Sequence, residues 1–336
     1  MHNFDHSELA RYLASHVDGF GDMDSIEKFT GGQSNPTYKV TSGSKAFVLR
    51  TKPTGKLLPS AHAVHREFRV MAALNGHLPV PRMLHLSAEA SPLGPQFFVM
   101  ELVDGQIHWD PGMPSATRQD RIAVYDAMNA MLAKLHSLDP VAVGLADFGK
   151  PGNYFNRQLS RWVGQYRAAQ TKPDVDVDWI IDWLGSNMPA DDEAVAIVHG
   201  DYRIDNIIFG PDNDPRALLD WELSTLGHPL ADLAYQVMVW RLPNAGQFKG
   251  LGGLDRGARG LPGDADYIAA YAERRGMKVP ENWNFYLAFT CFRFLAILQG
   301  VLKRGLDGTA SNPAGLSVME KMVDLLAKEA RAIAGN

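Results

Sequence analysis

Residues 195–222, VAIVHGDYRIDNIIFGPDNDPRALLDWE, constrain the fold of this chain more than any other stretch. Three short apolar runs, at 195–198, 206–209 and 217–219, have the length of buried strands. The turn at 210–215 is dense in Gly, Pro, Asn and Asp, as a hairpin connection should be. Polar side chains interrupt the apolar runs at His199, Asp201, Arg203, Asp205, Asn206 and Asp220. Carboxylates and amides at the ends of short buried strands are costly unless something pairs with them, and a bound metal ion would do that. The expectation is a polar, metal-competent site built on short strands.

Ahead of this stretch the pattern is β-rich. A short helix capped by Ser7 or Asp5 carries Leu9, Tyr12, Leu13 and Val17 on one face. Strands are expected at 26–30, 37–41 and 45–51, with a Gly-Gly-Gln-Ser-Asn-Pro turn at 31–36 and a tight Ser-Gly-Ser spacer at 42–44. Ser60 stands where it can cap a helix over 61–75, whose Val64, Phe68, Met71 and Leu74 follow helical spacing, and Gly76 can stop it. Residues 83–86 and 96–102 are further strand candidates. Beyond Gly105 helical patterns dominate, at 117–138, 154–169, 179–187, 230–240, 264–275, 283–302 and 316–334. A β-rich first part (1–104) followed by a larger helical part (105–336) is an α+β arrangement of two domains. Seven glycines between 243 and 263 predict a mobile loop.

Composition removes several function classes. The net charge of −5 argues against a general nucleic-acid binder. One cysteine, Cys291, excludes an internal disulfide framework and a cysteine-based zinc cluster, and its apolar neighbours make it a buried structural thiol. The first sixteen residues lack a basic region followed by an apolar one, and the apolar stretches read as too short or too interrupted to span a bilayer. No membrane partner and a cytoplasmic location are therefore expected.

The run His199-Gly-Asp-Tyr-Arg-Ile-Asp-Asn206, with Asp220 fourteen residues further on, resembles the catalytic loop and metal-binding aspartate of the protein-kinase-like superfamily. The closest pattern is its aminoglycoside phosphotransferase branch, His-Gly-Asp-x-x-x-x-Asn. That resemblance implies a bilobal kinase-like fold with a nucleotide-binding N-lobe at 1–104. The C-lobe at 105–336 would carry the catalytic loop, the metal site and the acceptor-binding helices. Phosphoryl transfer needs a group to orient and deprotonate the attacking hydroxyl, and cations to neutralise the triphosphate. Asp201 would take the proton, and Asn206 and Asp220 are hard oxygen ligands suited to Mg²⁺. Arg203 would steady the transferring phosphate. His199 is expected to brace the loop, and Asp232 to hydrogen-bond its backbone. Asp205 is equally well a supporting group or a solvated turn residue, and Glu222 could face solvent or the metal.

The same resemblance assigns ATP to the β-rich part. Gly32, Ser34 and Asn35 fall where a phosphate-covering loop belongs. Arg50, in Val-Leu-Arg, takes the place of the usual phosphate-binding lysine, with Lys45 and Lys52 as fallbacks and Glu67 as its ion-pair partner. Arginine is not a neutral exchange for lysine, because its planar fork demands a different oxygen geometry. The Glu101 carbonyl and Val103 N–H would meet adenine, with Met100 as the side wall. His62 and His65 read as solvated, and Trp162, Tyr166, Trp179 and Trp183 as core aromatics in the region where this family builds its acceptor site.

Ser34-Asn-Pro-Thr-Tyr, the run at 59–67 and Gly260-Leu-Pro-Gly look most like the subgroup related to the kinase-like domain fused to some acyl-CoA dehydrogenases. The implied activity is transfer of the γ-phosphate of ATP to a hydroxyl of a small molecule. Residues 241–281 hold seven Lys/Arg against five Asp/Glu, which favours an anionic or partly apolar acceptor such as a hydroxyacyl compound over a polycationic antibiotic. An antibiotic kinase and a nucleotide-binding scaffold without turnover are the alternatives. A protein kinase is disfavoured, because no Ala-Pro-Glu element follows Asp220.

Overall fold

The computed structural model describes residues 5–29, 35–53, 63–88, 94–246, 248–307 and 315–335. In chain order, α1 (His6–His16) precedes β1 (Ser25–Lys28), β2 (Thr37–Ser42) and β3 (Lys45–Thr51). Next come α2 (Val64–Leu74), β4 (Met83–Leu86), β5 (Phe97–Glu101) and β6 (Gln106–Ile107). Three helices follow, α3 (Arg118–Ser137), α4 (Tyr154–Ala169) and α5 (Val175–Ser186), then β7 (Ala196–Val198), β8 (Ile207–Phe209), β9 (Pro215–Leu218) and β10 (Thr225–Gly227). The chain closes with α6 (Leu230–Arg241), α7 (Arg256–Arg259), α8 (Asp264–Arg275), α9 (Trp283–Leu306) and α10 (Leu316–Ala334). Single 3₁₀ turns sit at Ile204–Asn206 and Trp221–Leu223.

Two compact units result. One comprises Met1–Trp109, Val141–Leu145 and Arg203–Ser224, and the other Asp110–Pro140, Ala146–Tyr202 and Thr225–Asn336. The sequence reading drew one cut at 104/105, whereas the first unit also takes in residues 203–224. The reason is backbone pairing. Gln106 and Ile107 of β6 pair with Phe209 and Ile208 of β8, and the Leu218 N–H donates to the Pro79 carbonyl at 2.8 Å.

In the first unit an antiparallel sheet has the order β1-β2-β3-β5-β4. Alternate residues of β2 are buried, and α1 lays Leu9 and Leu13 against Val40, Phe47, Leu49, Phe97 and Val99. Asp5 caps α1 by accepting from the Ser7 and Glu8 N–H groups. The helix expected from a Ser60 cap begins at α2 with Ala63 as its N-cap and no side-chain cap; Ser60 and His62 lie outside the described residues. Gly76 follows its end with φ +80°, which suits glycine.

The second unit is helical. Thr117 and Asp120 form a reciprocal capping box at the start of α3. α5 begins earlier than its aromatic pattern indicated, because Asp174 accepts from the Asp176 and Val177 N–H groups. Two strands escaped sequence reading, β6 and β10; runs of two and three residues are too short to show a two-residue period.

Two expectations need correction. α9 does have the length and hydropathy to cross a bilayer, but 72% of its most apolar window is buried inside the protein. It packs against α4, α6 and α10, and Phe155 meets Phe285, Tyr286 and Phe289 at 5.1–5.6 Å between ring centres. Cys291 lies on this helix, fully buried, and burial pushes its thiol pKa up. The glycine-rich segment 243–263 is a hydrogen-bonded loop carrying α7. Gly250 and Gly252 donate to the carbonyls of Pro243 and Leu242 at 3.0 and 2.8 Å. A Cβ at Gly250 would overlap the carbonyl oxygens of Val239 and Leu242, so this glycine serves close backbone approach rather than mobility.

Candidate active site

Arg50 is the centre of charge in the first unit. It sits in β3 opposite Thr37 of β2 and Phe98 of β5, with its side chain 13% exposed. Its Nε lies 2.8 Å from Glu67 Oε2, and its Nη2 donates to Asp220 Oδ1 at 2.8 Å, with Glu222 Oε2 at 3.9 Å. Nη1 donates to the Thr37 hydroxyl at 3.3 Å. Glu67 is 1% exposed, and its Oε1 accepts from the Asn35 amide at 2.6 Å. Burial pushes the Glu67 pKa up to about 7 against the pull of Arg50, with Asp220 and Glu222 adding to the rise and the Asn35 hydrogen bond opposing it. Burial works against the charge on Arg50 as well, but the three carboxylates outweigh it and leave its pKa raised.

Asn206 and Asp220 stand on neighbouring strand ends. Ile207 pairs with Leu218, and the Leu219 N–H donates to the Asn206 carbonyl at 2.8 Å. Asp220 adopts a left-handed backbone, φ +63°, at the corner into the 3₁₀ turn, a conformation that Asp tolerates better than most residues. Among the described residues no three His, Cys, Asp or Glu side chains gather as a metal cluster. The donors here are instead one amide and one carboxylate oxygen, a set that fits Mg²⁺ sharing the rest of its shell with phosphates and water. Arg203 pairs with Asp205 at 3.0 Å, which resolves Asp205 as the partner of a cation. Glu222 is turned toward Arg50.

At the end of β5, Met100 is 8% exposed and pairs with Val48 and Met83. Glu101 exchanges backbone and side-chain hydrogen bonds with Arg82: its N–H donates to the Arg82 carbonyl at 3.0 Å, and its Oε1 accepts from the Arg82 N–H at 2.9 Å. Val103 is half-buried beyond the strand. Gly32 and Ser34 lie outside the described residues, whereas Asn35 is buried against Glu67.

The second unit carries the loop from His199 to Tyr202, anchored to α6. Asp232 accepts from the His199 N–H at 2.6 Å and the Gly200 N–H at 2.8 Å. His136 adds a third contact at 3.2 Å through Nε2, while its Nδ1 accepts from the Tyr271 hydroxyl at 2.7 Å. Burial would raise the Asp232 pKa, but these donors outweigh it and hold the carboxyl below its ordinary value. His136 is driven the other way, kept neutral by burial. The His199 ring is fully buried, and its Nδ1 accepts from the Asp201 N–H at 3.2 Å. Tyr202 drops into the core and donates to the Met128 carbonyl at 2.7 Å. Asp201 Oδ1 accepts from the Tyr235 hydroxyl at 2.5 Å. Arg293, from α9, donates to the Gly200 carbonyl at 3.0 Å and lies over the rings of Tyr235 and Trp162 at 5.7 and 5.8 Å.

A family model described as the phosphotransferase enzyme family matches residues 25–276. The chain belongs to that family. It is similar to acyl-CoA dehydrogenase family member 10 of Mus musculus, 44% identical over 295 residues, which are 87% of this chain and 27% of that protein. The phosphotransferase thus spans about a quarter of the length of that relative. A crystal structure from Ralstonia eutropha, of a protein provisionally named an aminoglycoside phosphotransferase, is 43% identical with a TM-score of 0.89 over 99% of both chains. A thermostable aminoglycoside phosphotransferase mutant crystallised with AMP-PNP and hygromycin B shares the fold, with a TM-score of 0.62 at 15% identity over 96% of this chain and 98% of that one. The α+β kinase-like fold and the resemblance read from the sequence are borne out, as is the class of enzyme, a phosphotransferase with an alcohol group as acceptor.

Sequence reading of the phosphotransferase overlooked two residues, Tyr235 and Arg293. Tyr235 had a signal, since it lies three residues after Asp232 and therefore on the same helical face. Arg293 stands alone in the apolar run CFRFLAIL, and only a specific partner makes such a charge tolerable. The cations counted in the sequence at 241–281 are largely occupied elsewhere. Arg241 pairs with Asp264 and Glu329, Lys249 with Asp110, Arg256 with Asp264 and Arg274 with Asp126.

Proposed function

We propose that this phosphotransferase moves the γ-phosphate of ATP to a hydroxyl of an anionic, partly apolar metabolite such as a hydroxyacyl compound. Arg293 carries the acceptor reading. Its guanidinium is fixed beside the Asp201 loop by the Gly200 carbonyl and by two aromatic faces. A cation held there attracts a carboxylate or phosphate on the acceptor and repels a polycationic sugar. AMP-PNP in the related crystal structure supports ATP as donor.

Asp201 is read as the general base. Its carboxylate accepts the hydroxyl proton as the oxygen attacks the γ-phosphorus and the bond to ADP breaks. Arg203 steadies charge on the transferring group. On the nucleotide side, Arg50 binds phosphate oxygens while Glu67, itself held by the Asn35 amide, keeps its guanidinium in place. Gly32 and Ser34 are assigned to the phosphates, and the Glu101 carbonyl and Val103 N–H to adenine beside Met100. Asn206 and Asp220 would hold Mg²⁺, which when bound neutralises charge on the triphosphate.

A panel of hydroxy acids, neutral sugars and aminoglycosides assayed for ADP release tests this reading. The highest kcat/KM is expected for a carboxylate-bearing acceptor, with Arg293→Met raising its KM about tenfold or more while KM for ATP stays unchanged. Aminoglycoside turnover above about 10⁴ M⁻¹s⁻¹ would sink the anionic acceptor.

A further inference from the structure

A base is effective only when its acceptor oxygen is within hydrogen-bond reach of the hydroxyl, and an error of about 1 Å can cost on the order of 10² in rate. An aspartate on a loop has two side-chain torsions with which to miss. Here the backbone of Asp201 is fixed by His199 Nδ1, and the preceding amides by Asp232. The side chain is fixed separately, by the Tyr235 hydroxyl at 2.5 Å from Oδ1.

Tyr235 is itself unable to swing. Its side chain is 7% exposed, Arg293 lies over its ring, and Phe294 meets it edge-on at 6.4 Å. Asp232 and Tyr235 are three residues apart on α6, so one helix face sets both the loop backbone and the carboxylate. A phenol suits this task better than a cation. It donates one directional hydrogen bond and leaves the negative charge of the base unneutralised.

We propose that Tyr235 is a positioning residue that aims the Asp201 carboxylate at the acceptor hydroxyl. The proposal rests on the reading of Asp201 as base. Arg293 has a second role in it, as the group that clamps the Tyr235 ring while donating to Gly200.

Tyr235→Phe removes only the hydroxyl. ADP release from ATP is followed with water and with a hydroxy acid as acceptor, in the wild type, in Tyr235→Phe, in Asp201→Asn and in the double variant. The expected result is a kcat at least about tenfold lower in Tyr235→Phe, a KM for ATP within about twofold of wild type, and no further loss when the change is added to Asp201→Asn. A kcat within about twofold of wild type, or the same proportional loss in both backgrounds, overturns the proposal. Near-wild-type rates in Asp201→Asn would instead overturn the base reading, so the two failures are distinct. Proton NMR provides a readout independent of turnover and of whether Tyr235→Phe folds. A hydroxyl proton protected from exchange is expected in the wild type and should be displaced by Asp201→Asn. Absence of any such Asp201-sensitive resonance overturns the pairing.

Discussion

Two buried carboxylates in this molecule are stabilised by opposite means. Glu67, in the first unit, relies on a cation: Arg50 is its ion-pair partner and is shared with Asp220 and Glu222. Asp232, in the second unit, has no arginine or lysine partner among the described residues and is held by two backbone N–H groups and the ring of His136. The consequences differ in sign. Burial and two neighbouring carboxylates win at Glu67, whose pKa rises to about 7, whereas directed donors win at Asp232, whose pKa falls. A carboxylate fixed by N–H groups of the chain is a permanent anchor. A guanidinium divided among three carboxylates can instead exchange one of them for a phosphate, because none holds it exclusively.

The sharpest way to break this contrast is to remove each partner. Asp232→Ala leaves two buried N–H groups and His136 Nε2 unpaired, and unfolding by denaturant should show a loss of about 3–5 kcal/mol. Arg50→Met should lose only about 1–2 kcal/mol at pH 7, because Glu67 can take up a proton, whereas backbone N–H groups stripped of their acceptor have no equivalent escape. Equal losses would erase the distinction. The functional counterpart is Asp201→Asn, for which kcat should fall by at least about 10² while ATP affinity by calorimetry is unchanged. Asp220→Ala should do the reverse in kind, weakening Mg²⁺-dependent ATP binding about tenfold by titration calorimetry.

The smallest expected effect concerns pH. The folded pKa of Glu67, about 7, exceeds its ordinary 4.5, so the folded protein binds that proton more tightly than the unfolded chain. Its contribution therefore makes stability fall as pH rises from about 4.5 to about 7. Asp232 acts oppositely: its depressed pKa contributes stability above the ordinary 3.8 that is lost as pH falls through the folded value. Glu67→Gln should flatten the difference in melting temperature between pH 5 and pH 7.5 by a few degrees, and leave the acid limb near pH 3 in place. An unchanged difference would mean that Arg50 compensates the charge fully.

Much of the fold was legible in advance. α4, α8 and α10 fall on the predicted residues, because long apolar periodicity and clear stops make helices readable from local sequence. The pairing of Arg50 with Glu67 was also anticipated, as what the kinase-like resemblance implied rather than from any local pattern. The burial of Cys291 was read correctly from its apolar neighbours, but three other inferences from composition about surroundings failed. The apolar run in α9 read as too interrupted to span a bilayer, yet it has that length and lies buried. The glycines of 243–263 read as freedom, yet Gly250, Gly252 and Gly260 serve close contacts. The cations of 241–281 read as acceptor-facing and are mostly paired.

For residues 195–222, the sequence alone determined that Asn206 and Asp220 stand at the ends of one hairpin, since two short apolar runs flank the turn at 210–215. It could not determine the partner of each group. Arg50 reaches Asp220 across 170 residues, and Tyr235 reaches Asp201 across 34. Such pairings depend on strand register and helix packing, which bring distant side chains to hydrogen-bonding distance and exclude the water that would otherwise compete. That step belongs to the tertiary structure, and it divides one polar run into a shared cation in one unit and a bracketed carboxylate in the other.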